Sequence, residues 1–370
     1  HVGRWGSGCN PLRGQNNVQG GGDMGAIPNK LPGFQDILDV PTRERFERHW
    51  GVALQPTLGW NLTEMLQAMG RGELHSLFVI GENPAQSDAD SNHVEHLLKG
   101  LDHLVVQEIF LTRTAQLADV VLPSAASWCE SEGTVTNSER RVQRVRKALE
   151  PPHGARDEIW ILSEIAKRLG HDFGSPLAED VWNEFRTVAP EFAGGMSYAR
   201  LDALNGIQWP CPDEAHPGTT FLHGRLWESP VRGRRAPFSV VEHSGPVEMP
   251  DEEYPLLLTT GRRLESYNTG VMTGGYDSAL HRGESLDISP EDAARLGITT
   301  GDRVRVTSRR GTVLAPAMVD GALHAGLVFM TLHFPDEINT NVLTIDVADP
   351  RSGTAEFKAC AVRVEPALES

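Results

Sequence analysis

Between residues 76 and 123 three short apolar runs, SLFVIGENP, HLVVQEIFLT and ADVVLP, each end at a turn or a breaker. Runs this short, apolar on successive residues, read as parallel strands buried on both faces. The stretch HVEHLLKGL between the first two reads as a helix. Strand, helix and strand in that order make a right-handed crossover unit. Such a sheet binds ligands beyond the carboxyl ends of its strands. Gly81, Glu82 and Asn83 close the first run, and Gln107 and Glu108 close the second. Glycine allows close backbone approach, asparagine offers both a donor and an acceptor, and a carboxylate can take ribose hydroxyls or ring N–H groups. An ordinary polar strand end fits these residues equally well.

The rest of the chain divides around this unit. FQDILDVPTRERFERHW, residues 34–50, reads as a helix interrupted at Pro41. Asn61 followed by Glu64 predicts a capped helix start. Residues 132–152 give a polar turn, a basic strip (Arg140, Arg141, Arg144, Arg146, Lys147) and a Pro-Pro stop. DEIWILSEIAKRLG reads as a helix with acids first and bases last. Residues 171–250 read as irregular, with one helix near 179–188. From Tyr254 the texture changes to short strands, namely YPLLLTTG, the pair in DRVRVTSRRGTVLAPAMV joined at Arg310-Gly311, GLVFMTLHF and KACAVRVE. One capped helix, SPEDAARLG, stands among them. That pattern fits a small closed β-barrel. The expected organisation is an α/β part over 1–127, an α-rich connection over 128–250 and a barrel over 251–370.

Composition excludes several functions. With 34 Lys+Arg against 50 Asp+Glu the net charge is −16, which disfavours nucleic acid or an anionic membrane surface as partner. No apolar run approaches the roughly 20 residues of a membrane helix. Cys9, Cys129, Cys211 and Cys360 are far apart, with no C-x-x-C pair. They outline neither a zinc or iron–sulfur site nor a disulfide framework, and read as isolated thiols.

The run CNPLRGQNNVQGGGDMG, residues 9–25, sets Arg13 among amides and glycines. With almost no apolar residue, it predicts a loop with neither a core strand nor a stable helix. One fixed cation among directional donors suits a polar anionic ligand, and the same composition also suits a solvated surface loop. A second polar segment, TGRRLESYNTG at 260–270, follows a strand and offers hydroxyls, amides and a guanidinium suited to pyrophosphate.

The pattern N-P-x-R-G-Q-N-N-x-Q-G resembles the substrate loop of molybdenum- or tungsten-dependent formate dehydrogenases, within the molybdopterin oxidoreductase (dimethyl sulfoxide reductase) family. The likeness runs from residue 1 to about 366, closest to the C-terminal portion of the catalytic alpha subunit. It implies a partial doubly wound, Rossmann-like cofactor domain followed by a double-psi β-barrel. It implies formate oxidation to carbon dioxide at Mo or W held by bis-molybdopterin guanine dinucleotide. Arg13 would then hold formate's carboxylate, with Gln15 beside it and Asn16 towards the cofactor. Gly81, Asn83, Gln107, Glu108 and Glu158 would meet one dinucleotide. Thr260, Gly261, Arg262, Ser266, Tyr267 and Thr269 would hold pyrophosphate, with either Arg262 or Arg263 turned to solvent. His333, Asn341 and Lys358 would line a pterin.

By the same resemblance the metal's Cys or selenocysteine ligand and a 4Fe–4S cluster lie upstream of His1, so the 370 residues alone would be inactive. Cys9 does not match the ligand motif, and Trp5 replaces the usual proline. Electron-transfer subunits, iron–sulfur or NAD-linked, are the expected partners, and the cytoplasm is the expected location. Nitrate reductases tend to have T-G-Q-P in place of the arginine loop, so Arg13 separates the two substrate readings. A non-catalytic scaffold of the same fold is the other alternative.

Overall fold

The computed structural model describes residues 10–222, 238–264, 266, 268–270, 282–350 and 352–367. Its contacts gather into two units, each made of two separate segments. These are His1–Trp60 with Ser124–Glu242, and Asn61–Pro123 with His243–Ser370.

Residues expected as pure loop form a short helix, α1 (Val18–Asp23), despite its three glycines. Tertiary contacts offset the poor helix propensity. Asn17 enters in the left-handed region at φ 60° and its Oδ1 accepts the Thr136 amide at 2.9 Å. A Cβ at Gly20 would stand 1.9 Å from that Oδ1, so only glycine leaves room for the asparagine. The antiparallel pair β1 (Lys30–Leu31) and β2 (Gln35–Asp36) follows. The helix expected over 34–50 is shorter: α2 runs Val40–Trp50. Pro41 lies in its first turn, where a missing N–H costs nothing, and Asp39 caps it by accepting the Thr42 amide at 3.0 Å.

The second unit begins with α3 (Leu62–Gly70), whose Asn61 and Glu64 form the expected reciprocal capping box. Then come β3 (Ser76–Ile80), α4 (Pro84–Ser87), α5 (Ser91–Lys99), β4 (His103–Glu108) and β5 (Val120–Pro123). The three strands are parallel in the order β3-β4-β5. Val79, Val94, Leu97, Leu98, Leu104 and Val106 form the core beneath them. Burial on both faces, expected for all three, fails for the outer two. Phe78 and Ile80 of β3, and Val120 and Val121 of β5, are exposed.

Back in the first unit, the basic strip proves to be a hairpin, β6 (Gly133–Thr136) with β7 (Arg141–Val145), turning at Arg140. Helix α6 (Glu158–Arg168) is capped by Asp157. The stretch expected to hold one helix holds α7 (Ala178–Val188), α8 (Pro190–Ala193) and α9 (Tyr198–Ala203). It also holds β8 (Ile207–Gln208), antiparallel to β7. Val142, Trp182, Phe185, Met196, Tyr198 and Leu201 pack into one core.

The second unit closes as a barrel. Its strands are β9 (Leu256–Gly261), β10 (Leu286–Ile288), β11 (Arg303–Thr307), β12 (Thr312–Val319), β13 (Leu327–Thr331) and β14 (Cys360–Pro366). The closed order is β10-β12-β11-β14-β9-β13, as the strand texture predicted. Two parallel pairs, β10/β12 and β9/β13, close the ring with four antiparallel ones. Only β10 escaped the sequence reading, because three residues are too few to show a period. Alternate residues point inward, and Leu256, Leu258, Ile288, Val304, Val328 and Met330 fill the interior. Helix α10 (Pro290–Leu296) starts at the Ser289 cap and ends at Gly297, φ 68°. Among the described residues no helix is long and apolar enough to cross a membrane.

Candidate substrate loop and dinucleotide cradle

In the first unit Arg13, Gln15 and Asn16 lie exposed just before α1. The chain behind them is fixed. Asn17 is tied to β6, and Asp23, at the other end of α1, is buried. Asp23 accepts from Gln19 Nε2 at 2.8 Å and from Trp209 Nε1 at 2.9 Å. Burial pushes its pKa up to about 6, while those two bonds and the charges of Arg13 and Arg140 pull it down. Glu158, also in this unit, stands in the first turn of α6 and accepts from Ser124 Oγ at 2.9 Å.

In the second unit Gly81, Asn83, Gln107 and Glu108 come together at the carboxyl ends of β3 and β4. The Gly81 amide donates to the Gln107 carbonyl at 2.9 Å. Gly81 has φ 63°, the left-handed turn that glycine adopts without strain. Asn83 is fully buried and staples the loop. Its Oδ1 accepts from the Thr114 amide at 3.1 Å and the Thr114 hydroxyl at 2.8 Å, and its Nδ2 donates to Gln86. Gln107 and Glu108 are buried as well, and Glu108 Oε1 accepts the Ile109 amide at 2.7 Å.

The barrel brings a second group together where β9 and β13 end. Thr260 Oγ1 donates to the Phe357 carbonyl at 2.6 Å, and Lys358 Nζ donates to the Thr260 carbonyl at 2.8 Å. The two arginines have different surroundings. Arg262 is exposed, whereas Arg263 pairs with Asp287 at 3.1 Å and donates to Ser285 and to the Gly283 carbonyl. His333 is buried and its Nε2 accepts the Arg263 amide at 2.7 Å. A Cβ at Gly261 would stand 2.7 Å from the Phe329 ring. Ser266 and Thr269 are half-buried, and Tyr267 lies outside the described residues.

Asn341 stands apart from this group. It is buried, its Nδ2 donates to the Gln86 and Ser87 carbonyls at 3.0 Å each, and its Oδ1 accepts from Thr344. Its side chain latches the barrel to α4.

The donor set suits a dinucleotide. Partial burial and the nearby Arg262 charge hold the Lys358 ammonium below its ordinary pKa. Two crowded cations beside a strand exit without a Cβ are relieved by an anion such as pyrophosphate. A carboxylate and an amide at neighbouring strand ends suit ribose hydroxyls and guanine N–H groups. Sequence reading missed Asn17, Asp23 and Thr114, whose partners are remote in the chain. It also missed Glu284, buried beneath the barrel rim, where it accepts the Thr331 amide at 3.0 Å.

A mixed α/β chain with a closed barrel and an anion-suited cradle agrees with what sequence comparison finds. Residues 2–168 match the Molybdopterin oxidoreductase family, and residues 256–361 match the Molydopterin dinucleotide binding domain. The chain belongs to the molybdopterin oxidoreductase family.

It is 47% identical over 370 residues to the F420-dependent formate dehydrogenase 2 subunit alpha of Methanococcus maripaludis, covering 99% of this chain and 53% of that one. It is 36% identical over 372 residues to formate dehydrogenase H of Escherichia coli, with 99% and 51% covered. Against the assimilatory nitrate reductase catalytic subunit of Bacillus subtilis identity is 35% over 378 residues, covering 99% and 52%. The chain thus spans about half the length of the curated relatives it matches. Among solved structures, acetylene hydratase from Pelobacter acetylenicus superposes with a TM-score of 0.64 at 19% identity, over 88% of this chain and 50% of that one. That likeness concerns the fold alone.

Proposed function

We propose that the chain is the C-terminal part of a formate dehydrogenase catalytic subunit, which takes two electrons and a proton from formate and leaves carbon dioxide. The observation that carries this reading is Arg13, exposed on a loop whose far end is packed and hydrogen-bonded. A guanidinium stays charged and meets a carboxylate in two-point fashion, leaving formate's C–H free to face a redox centre. Gln15 stands beside Arg13 and adds a neutral donor. Several relatives bear the name formate dehydrogenase, in agreement with this reading.

A bound Mo or W bis-pterin guanine dinucleotide would supply the two-electron chemistry. In this reading Gly81, Asn83, Gln107 and Glu108 serve one dinucleotide, and Asn16 and Glu158 are further cofactor residues. Arg262, Lys358, Thr260, Gly261, Ser266, Tyr267 and Thr269 serve pyrophosphate and pterin, together with His333. Asn341 contributes by fixing the barrel edge. The mixed parallel and antiparallel pairs of the barrel support a double-psi arrangement, and the β3-β4-β5 sheet supports a doubly wound cofactor domain. The division at 127 and 250, an upstream 4Fe–4S cluster, iron–sulfur or NAD-linked partners and a cytoplasmic location belong to the same proposal.

The test is Arg13→Lys in the complete enzyme. Lysine keeps the charge and loses the two-point contact, so kcat/KM for formate falls about a hundredfold while cofactor content holds. An unchanged kcat/KM would remove Arg13 from the reaction. Activity on nitrate in place of formate would favour the nitrate reductase reading.

A further inference from the structure

Arg13 is exposed, yet the other end of its loop is anchored by one of the least exposed carboxylates in the first unit. Asp23 is 2% exposed, and each of its oxygens accepts from a neutral donor, Gln19 on one side and Trp209 on the other. Its main-chain carbonyl accepts the Gly33 and Phe34 amides at 2.7 and 3.2 Å. Trp209 is itself held, stacked on Phe192 with ring centroids 4.7 Å apart. A buried carboxylate met only by neutral hydrogen-bond donors costs more than an apolar residue in the same place. Its use lies in the two directional bonds it makes.

We infer that Asp23 is the positioning residue of the substrate loop. By tying the end of α1 to Trp209 and to the turn at 33–34, it fixes where the chain presents the Arg13 guanidinium. This rests on the reading of Arg13 as the ligand of formate. The Arg13 guanidinium meets formate's full negative charge in the bound ground state, and that charge is lost as carbon dioxide forms, so a displaced Arg13 costs binding, read in KM, more than it costs kcat.

The experiment uses the complete, cofactor-loaded enzyme with Asp23→Ala, Trp209→Phe and Asp23→Asn. Formate kinetics are taken per loaded site, beside hydrogen exchange of the α1 amides. Asp23→Ala and Trp209→Phe should each raise KM about tenfold with kcat nearly unchanged. The Gly21 and Met24 amides should exchange about tenfold faster. Asp23→Asn still offers Trp209 an acceptor, and the Gln19 amide can turn to meet its NH2, so KM should return to within about threefold of wild type.

Unchanged KM and exchange in both disruptive variants, or a loss confined to melting temperature and cofactor content, would overturn the inference. Should Asp23→Ala not fold, Trp209→Phe decides on the same readings. Arg13→Lys run in parallel separates the two claims. If it turns over formate normally, the substrate reading falls and this inference with it. If it is impaired while Asp23→Ala and Trp209→Phe are not, only the role of Asp23 falls.

Discussion

Single residues here divide into those that face outward with a charge and those whose polar atoms are used inside. Arg262 and Arg263 are adjacent and chemically identical, yet one is exposed and the other is fixed to Asp287. Their order in the sequence could say that one turns away, and not which. Asn341 donates its amide to two main-chain carbonyls of α4, those of Gln86 and Ser87. Asn341→Ala takes the Asn341 donor from those half-buried carbonyls, so it should cost about 1–2 kcal/mol, read from the urea midpoint. At Gly261 the Phe329 ring occupies the place of a Cβ. Gly261→Ala should destabilise by about 1–3 kcal/mol in the same measurement, as overpacking does.

Asp23 gives a pH test. Its folded pKa is raised from 3.8 to about 6, so the folded state holds a proton there that the unfolded chain has already released. Its contribution to stability is therefore full below the unfolded pKa of 3.8 and is lost as pH rises through about 6. Asp23→Asn has no such loss. The melting temperature of the variant minus that of wild type should grow between those two values and level off above them.

At the level of elements, local chemistry was legible wherever a cap or a strict alternation carried it. Asn61 with Glu64, and Ser289 with Gly297, sit where they were expected, because a cap is satisfied within three residues of itself. Asn61→Ala removes one side of the box and should cost about 1 kcal/mol, with faster amide exchange confined to the first turn of α3. Helix α1 and the β6–β7 hairpin were not legible. The first is too rich in glycine to be a helix on propensity. It is held by Thr136, 119 residues from Asn17, and by Trp209, 186 residues from Asp23. In the second, arginines mask the alternation: Val142 is the buried residue of β7, and Arg144 lies across the Tyr198 ring at 3.4 Å.

Across the whole molecule, neither unit is continuous in sequence. Residues 61–123 pack with the barrel through Asn341 on α4 and Asn339 on Ser91, and Thr63 Oγ1 donates to the Gly353 carbonyl at 2.7 Å. The barrel segment 243–370 expressed alone should therefore melt below the same segment joined to 61–123. Calorimetry of the two chains checks this, and equal melting temperatures would mean that these contacts add nothing. The class of the barrel was readable because its inward residues alternate along each strand. Its partnership with a sheet more than a hundred residues earlier was not readable from that period.

The sequence by itself determined the parallel strands, the caps, the barrel and the loop wording that ties Arg13 to a family, since each depends on residues near one another in the chain. Tertiary structure alone decided which arginine is buried, that Asn341 serves as a latch, and that Asp23 and Asn17 hold the loop. Those outcomes depend on hydrogen-bond partners that folding brings from some twenty residues away for Arg263 and from more than a hundred for Asn341, Asp23 and Asn17, and burial makes each of those bonds costly to leave unmade.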